Sequence, residues 1–186
     1  MEHFYQNIPG WFSYEYMYKE MVECGEDGDV FVEIGSFQGK SSAFMAVEIA
    51  NSEKKIRWDC IDPFKLLSHY AKSAEDDPSE WEGYSLEGFN ERMKAANGFF
   101  NPVPLTSEEA VKIYEDGSID YIMIDGDHTY EGVKRDIEMF LPKMKKGGIM
   151  TGDDAWSPEV WRAVKDALPG RDVQLIQGKH FYVEIE

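Results

Sequence analysis

The chain has 186 residues, 42% hydrophobic and 14% aromatic, enough to bury one substantial core and to read as one domain over 1–186. Nineteen Lys and Arg against 36 Asp and Glu give a formal net charge of −17, which argues against nucleic acid or an anionic membrane as partner, since both favour basic patches. No apolar run approaches the roughly 18 residues of a membrane span, and Cys24 and Cys60 stand apart without a CxxC pair or secretory signal, so the expected setting is the reducing cytoplasm.

The aromatic N-terminal region, residues 1–27, contains Trp11, Phe12, Tyr14, Tyr16 and Tyr18, and predicts a helix capped by Ser13, running to about Cys24 and stopped by Gly25. Val30 to Ile34 reads as a buried strand and Gly35 to Gly39 as a turn. A helix with Phe44, Val47 and Ala50 near one face follows. Arg57 to Asp62 is the next strand, ending in Asp62-Pro63. After a long polar connection, Ser85 to Asn97 is expected helical, Val103 to Thr106 extended and Glu108 to Glu115 helical. Ile119 to Ile124 and Gly148 to Thr151 are short apolar runs flanking a helix that buries Val133, Ile137, Phe140 and Met144 at helical spacing. Ser157-Pro158-Glu159 starts the last helix, with Ser as cap and Pro at its first position. Asp172 to Gln177 and His180 to Ile185 then form a hairpin around Gly178-Lys179. The expected fold is therefore α/β: a Rossmann-like, seven-stranded, mostly parallel sheet with helices on both faces and a C-terminal antiparallel hairpin.

Two acidic clusters dominate the chemistry. Asp125-Gly126-Asp127-His128-Thr129-Tyr130 closes one apolar run, and Gly152-Asp153-Asp154 closes the next. In a parallel sheet those strand ends share one edge, beside which ligands bind. Four aspartates gathered there repel unless a cation or cationic ligand sits among them. At the first strand end, Gly35 and Gly39 allow close backbone approach, and the helix start offers N–H groups to an anion; the same glycines also serve a plain turn. Asp62 stands where a carboxylate commonly accepts a ribose diol, or is simply an acidic residue before proline.

The stretch Ile124 to Val133, with Asp136, Leu141-Pro142-Lys143 and Gly147-Gly148, resembles the class I S-adenosylmethionine-dependent methyltransferases, in particular a small group sharing Ile-Asp-Gly-Asp-His-x-Tyr-Glu-x-Val. The resemblance departs from the commoner glycine motif by placing Phe37 at the middle position. It implies S-adenosylmethionine as cofactor, with Glu33, Gly35, Ser36 and Gly39 around its methionine end, Ser41 near its carboxylate, Asp62 on the ribose, and Ser107 and Glu108 by the adenine. Metal-dependent relatives such as the catechol and certain sugar O-methyltransferases place carboxylates at the positions of Asp125, Asp153 and Asp154, which implies Mg²⁺ there. Asp127 or His128 is then the candidate base. The cofactor set also includes Asp125.

The acceptor expected is a small hydroxylated molecule, with a homo-oligomer as a further expectation. Residues 64–84, including Tyr70, Trp81 and Tyr84 around Glu75-Asp76-Asp77-Pro78, are either a surface connection or a lid over the acceptor. His69 and His180 are assigned no role. The rival functions are a metal-dependent hydrolase using the Asp cluster and a non-catalytic binding protein on the same fold.

Overall fold

Alternation along the first strand sends its side chains to opposite faces of a sheet that is covered on both. In the computed structural model, which describes residues 1–67 and 78–186, β1 (Val30–Ile34) lies between β2 (Arg57–Ile61) and β4 (Ile119–Ile124). Phe31 is in register with Trp58 and Tyr121, and these three join one apolar cluster; Val32 and its partner Ile122 join the other. The strands are near-continuous apolar runs because each face must be buried.

The remaining strands are β3 (Asn101–Val103), β5 (Met144–Gly152), β6 (Gln174–Ile176) and β7 (His180–Glu184). The order is β3-β2-β1-β4-β5-β7-β6, parallel from β3 to β5, with β7 antiparallel to both β5 and β6. This is the Rossmann-like arrangement expected, closing hairpin included. Six α-helices lie among the described residues: α1 (Glu15–Cys24), α2 (Lys40–Ser52), α3 (Leu86–Met93), α4 (Ser107–Ala110), α5 (Tyr130–Phe140) and α6 (Pro158–Ala167). Residues of α1, α2 and α3 pack on the face of Phe31, and those of α4, α5 and α6 on the face of Val32. Fully burying Ile137 or Phe140 of α5 stabilises the fold by about 1.5–3 kcal/mol each. Among the described residues no helix is long and apolar enough to cross a membrane.

Several boundaries differ from the sequence reading, each for a local reason. Tyr14, rather than Ser13, occupies the cap position of α1 and makes no side-chain capping bond. α2 is buried almost all round from Ser41 to Val47, while Ala50 is only half-buried. Met144 opens β5 opposite Ile119 instead of ending α5, because α5 stops at Phe140 and Pro142 lies in the following 3-10 turn. The hairpin turns on Gln177 and Gly178, both at positive φ, with Lys179 N–H donating to Ile176 O at 3.0 Å. Ser157 does cap α6 by position and Pro158 follows, but the Ser157 side chain makes no capping bond. Of the 64–84 connection, residues 68–77 lie outside the described residues; Pro78–Trp81 forms a 3-10 turn.

Chain order reverses between β1 and β4, since β2 and β3 extend to one side and β4 and β5 to the other. That makes the carboxyl ends of β1 and β4 a topological switch point, where open α/β sheets carry their ligand crevice.

Candidate active site at the β1 and β4 strand ends

The glycine turn meets the acidic loop through backbone. Asp125 N–H donates to Ile34 O at 2.9 Å, and Gly35, at φ +93°, leaves no room for a side chain: a Cβ there would lie 2.0 Å from Asp125 O. Gly39 caps α2 in the left-handed region beneath the Phe89 ring. Ser36 of the turn and Ser41 at the start of α2 are both buried. Glu33, pointing to the α1 and α2 face, is fully buried and accepts from Tyr18 Oη at 2.6 Å and from Ser42 Oγ. Burial pushes its carboxyl up, and hydroxyls of Ser41, Ser42, Tyr18 and Ser36 draw it back. Its visible work is to tie the turn to two helices.

Asp62 lies just past β2, 5% exposed. Its Oδ2 accepts from Phe37 N–H at 2.9 Å, and its Oδ1 accepts from Phe64 N–H at 2.7 Å and Tyr84 Oη at 2.5 Å. Burial raises its pKa, while the hydrogen bonds of Tyr84, Phe64 and Phe37 oppose the rise. Phe37, at φ +46°, stands under an aromatic cover: Trp81 edge-on at 5.1 Å, Tyr84 tilted at 5.2 Å and Trp11 stacked at 6.4 Å.

At the ends of β4 and β5 the aspartates are joined by histidines. His128 places Nε2 3.1 Å from Asp125 Oδ1 and Nδ1 2.8 Å from Asp154 Oδ2. An imidazole donates to two carboxylates only when both nitrogens carry protons. Burial opposes that charge, but the hydrogen bonds and field of Asp125 and Asp154 outweigh it and push the His128 pKa up to about 10. The same contact holds Asp154 below the ordinary carboxylate value, whereas burial lifts Asp125. Asp125 also accepts from Tyr14 Oη at 2.6 Å, and Asp154, at φ +55°, accepts from Trp156 Nε1 at 2.8 Å. Asp153 faces the fully buried His180, whose Nδ1 is 2.8 Å from Asp153 Oδ1.

A divalent ion on Asp125, Asp153 and Asp154 does not fit this arrangement. The His128 ring already joins Asp125 to Asp154, and Asp153 Oδ1 accepts from the Asp154 N–H at 2.7 Å, with His180 Nδ1 2.8 Å away. Among the described residues no group of three His, Cys, Asp or Glu side chains converges as a metal site. The Mg²⁺ expected from the resemblance gains no support from this arrangement: the strand ends do lie together, and an imidazole bridges two of the carboxylates.

Asp127 sits at the start of α5, its Oδ1 accepting from Thr129 N–H at 3.0 Å and its side chain lying over Gly132, where a Cβ would come within 2.4 Å. Ser107 Oγ donates to the buried Asp136 at 2.7 Å, and Glu108 pairs with Arg135 at 3.0 Å, so both side chains expected near adenine contact α5. The structure thus gathers Gly35, Asp125, His128, Asp153 and Asp154 along one edge, with Asp62 beside them and Glu33 turned beneath. Tyr14, Tyr84 and Trp156, whose expected part was at most to shape the acceptor pocket, contact these residues directly, as does His180, which was assigned no role. For Tyr14 and Tyr84 the only sequence signal was aromatic density.

Comparison with known proteins identifies the family and the fold. A family model described as a methyltransferase domain matches residues 32–155. A curated relative, uncharacterized protein R132 of Acanthamoeba polyphaga mimivirus, is 29% identical over 147 residues; the match covers 75% of this chain and the chain spans 59% of that protein. The structure of the O-methyltransferase NovP superposes with a TM-score of 0.69 at 15% identity, covering 92% of this chain and 78% of NovP. Aeropyrum pernix fibrillarin, solved with natively bound S-adenosyl-L-methionine, gives a TM-score of 0.54 at 13% identity, covering 85% and 67% of the two chains. At such identities these structures share the fold.

Proposed function

The chain belongs to the methyltransferase-domain family, and on that premise we propose that it moves the methyl group of S-adenosylmethionine to an oxygen of a small hydroxylated acceptor. The observation that carries the reading is the abutment of Gly35 on Asp125 at the β1/β4 switch point, where a side-chain-free turn faces an acidic loop. A sulfonium cation is favoured over its neutral sulfide product beside such a carboxylate-rich edge. In this reading the Gly35–Gly39 turn lies beneath the methionine end, Ser36 and Ser41 beside it, Asp62 on the ribose, and Ser107 and Glu108 toward the adenine.

The transfer is one displacement. A lone pair of the acceptor oxygen forms the new O–C bond as the C–S bond breaks, the sulfonium becomes a neutral sulfide, and the acceptor's proton leaves to a base. His128, with both nitrogens engaged by carboxylates, has no lone pair to offer while bridged. Asp127, whose Oδ1 accepts from Thr129 N–H, is the proposed acceptor of that proton. His128 then positions Asp125 and Asp154. The hydrolase and binding-protein alternatives gain no support from the family match.

The test is binding of S-adenosylhomocysteine followed by transfer from labelled S-adenosylmethionine to a panel of sugars, phenols and hydroxy acids. Saturation at 100 times the dissociation constant adds about 2.7 kcal/mol, or roughly 5–10 °C in melting temperature. Absence of any shift would remove the methyltransferase reading.

A further inference from the structure

Two of the three donors on Asp62 are main-chain amides fixed by the fold, those of Phe37 and Phe64. The third, the Tyr84 hydroxyl at 2.5 Å, belongs to a side chain that can rotate away. A carboxylate oxygen has two lone pairs. Both on Asp62 Oδ1 are taken, one by Phe64 N–H and one by Tyr84 Oη, in a group only 5% exposed. A sugar hydroxyl approaching Oδ1 therefore meets a phenol hydroxyl of the same chemistry already in place, while Oδ2, which accepts from Phe37 N–H, keeps a second lone pair for the other hydroxyl of a diol. The Tyr84 ring lies 5.2 Å from Phe37 and 5.2 Å from Trp81, so that one hydroxyl also helps seat an aromatic cover on the glycine turn. Ser85, the next residue, caps α3 through Gly88 N–H at 3.0 Å, which limits any movement of Tyr84 to its side chain and the short stretch before it.

We propose that Tyr84 is an affinity-setting residue of the cofactor site: its hydroxyl holds the place of a ribose hydroxyl on Asp62, and cofactor entry displaces it and unseats Trp81 from Phe37. The inference rests on the reading of this edge as the site of a nucleoside-bearing cofactor. Exchange of one O–H···O⁻ bond for another leaves little net gain from that contact, so the tethered phenol weakens cofactor binding in the native protein. Removing the hydroxyl alone removes the competitor and keeps the ring on its aromatic neighbours.

Calorimetric titration with S-adenosylhomocysteine of the native protein, Tyr84→Phe and Asp62→Asn tests this, with melting curves confirming that each is folded. Tyr84→Phe is expected to bind roughly ten- to a hundredfold more tightly, the worth of one hydrogen bond to a charged group, and Asp62→Asn more weakly than native. Native tryptophan fluorescence should change on titration, and Trp81→Phe should lose most of that change. Equal or weaker binding by Tyr84→Phe, or native affinity in Asp62→Asn, overturns the proposal while leaving the methyltransferase reading standing. Failure of the native protein and Tyr84→Phe alike to bind would instead remove that reading, and this proposal with it.

Discussion

Tyr14 and Asp125 are 111 residues apart in the chain and are joined by a hydrogen bond of 2.6 Å from the phenol hydroxyl to Oδ2. The tyrosine is wholly buried at the cap of α1, and the aspartate ends β4. Tyr14→Phe removes one charge-assisted donor from a carboxylate that burial already disfavours. The expected cost is about 1.5–3 kcal/mol, read as a fall of roughly 3–12 °C in melting temperature. An unchanged melting curve would show that His128 alone suffices to hold Asp125.

The two glycines of the turn should respond differently to alanine. At Gly35 the new Cβ meets the Asp125 carbonyl at 2.0 Å, and backbone cannot yield without parting β1 from the acidic loop. At Gly39 it meets the Phe89 ring at 3.0 Å, a side chain able to shift. Both sit at positive φ and share that strain. Urea titration should therefore show Gly35→Ala losing upwards of about 4 kcal/mol, beyond the ordinary range for a single substitution, and Gly39→Ala clearly less. Equal losses would contradict the close-approach account.

Asp136, whose carboxylate lies beside Gly126 of the acidic loop, supplies a pH signature. Burial raises its pKa from 3.8 to about 6, against the pull of Ser107 and Arg135. A folded value above the unfolded one means the native state binds the proton more tightly, so this group's contribution to stability falls as pH rises from about 4 to about 6. The ceiling is about 3 kcal/mol, from 1.36 kcal/mol per pKa unit. Asp136→Asn should thus melt above native at pH 7.5, and the gain should vanish near pH 4. A difference independent of pH would mean that Asp136 is charged at no such cost.

Because His128 already joins Asp125 to Asp154, Mg²⁺ at millimolar concentration should leave the melting temperature where EDTA leaves it. A Mg²⁺-dependent rise abolished by Asp153→Asn would show instead that the carboxylates open to receive an ion.

Legibility in the sequence followed the range of the interactions involved. β1 and β4 were readable to the residue, since apolar runs of five and six residues bounded by turn signals leave little choice. β3 starts two residues before the extended run the sequence predicts, because Asn101-Pro102 reads as loop. Proline lacks the N–H of a ladder and is tolerated on an edge strand, which is where β3 lies. The acidic strand ends were readable because topology alone brings them to one edge. His180 was not: its relation to Asp153 exists only once β7 has paired antiparallel to β5, and no local pattern announces it. Likewise Tyr84 carried no sign of Asp62, since aromatic residues near a turn are compatible with many partners.

The supports of the acidic edge come from both ends of the sequence: Tyr14 holds Asp125, His180 faces Asp153, and the two rings lie 5.6 Å apart. During synthesis Tyr14 leaves the ribosome long before the strand that carries His180. The sheet from β3 to β5 can pair in the nascent chain, but the edge stays unbraced until residue 180 has cleared the exit tunnel. Bracing of this edge is therefore completed only when β7 has paired antiparallel to β5 and brought His180 to Asp153.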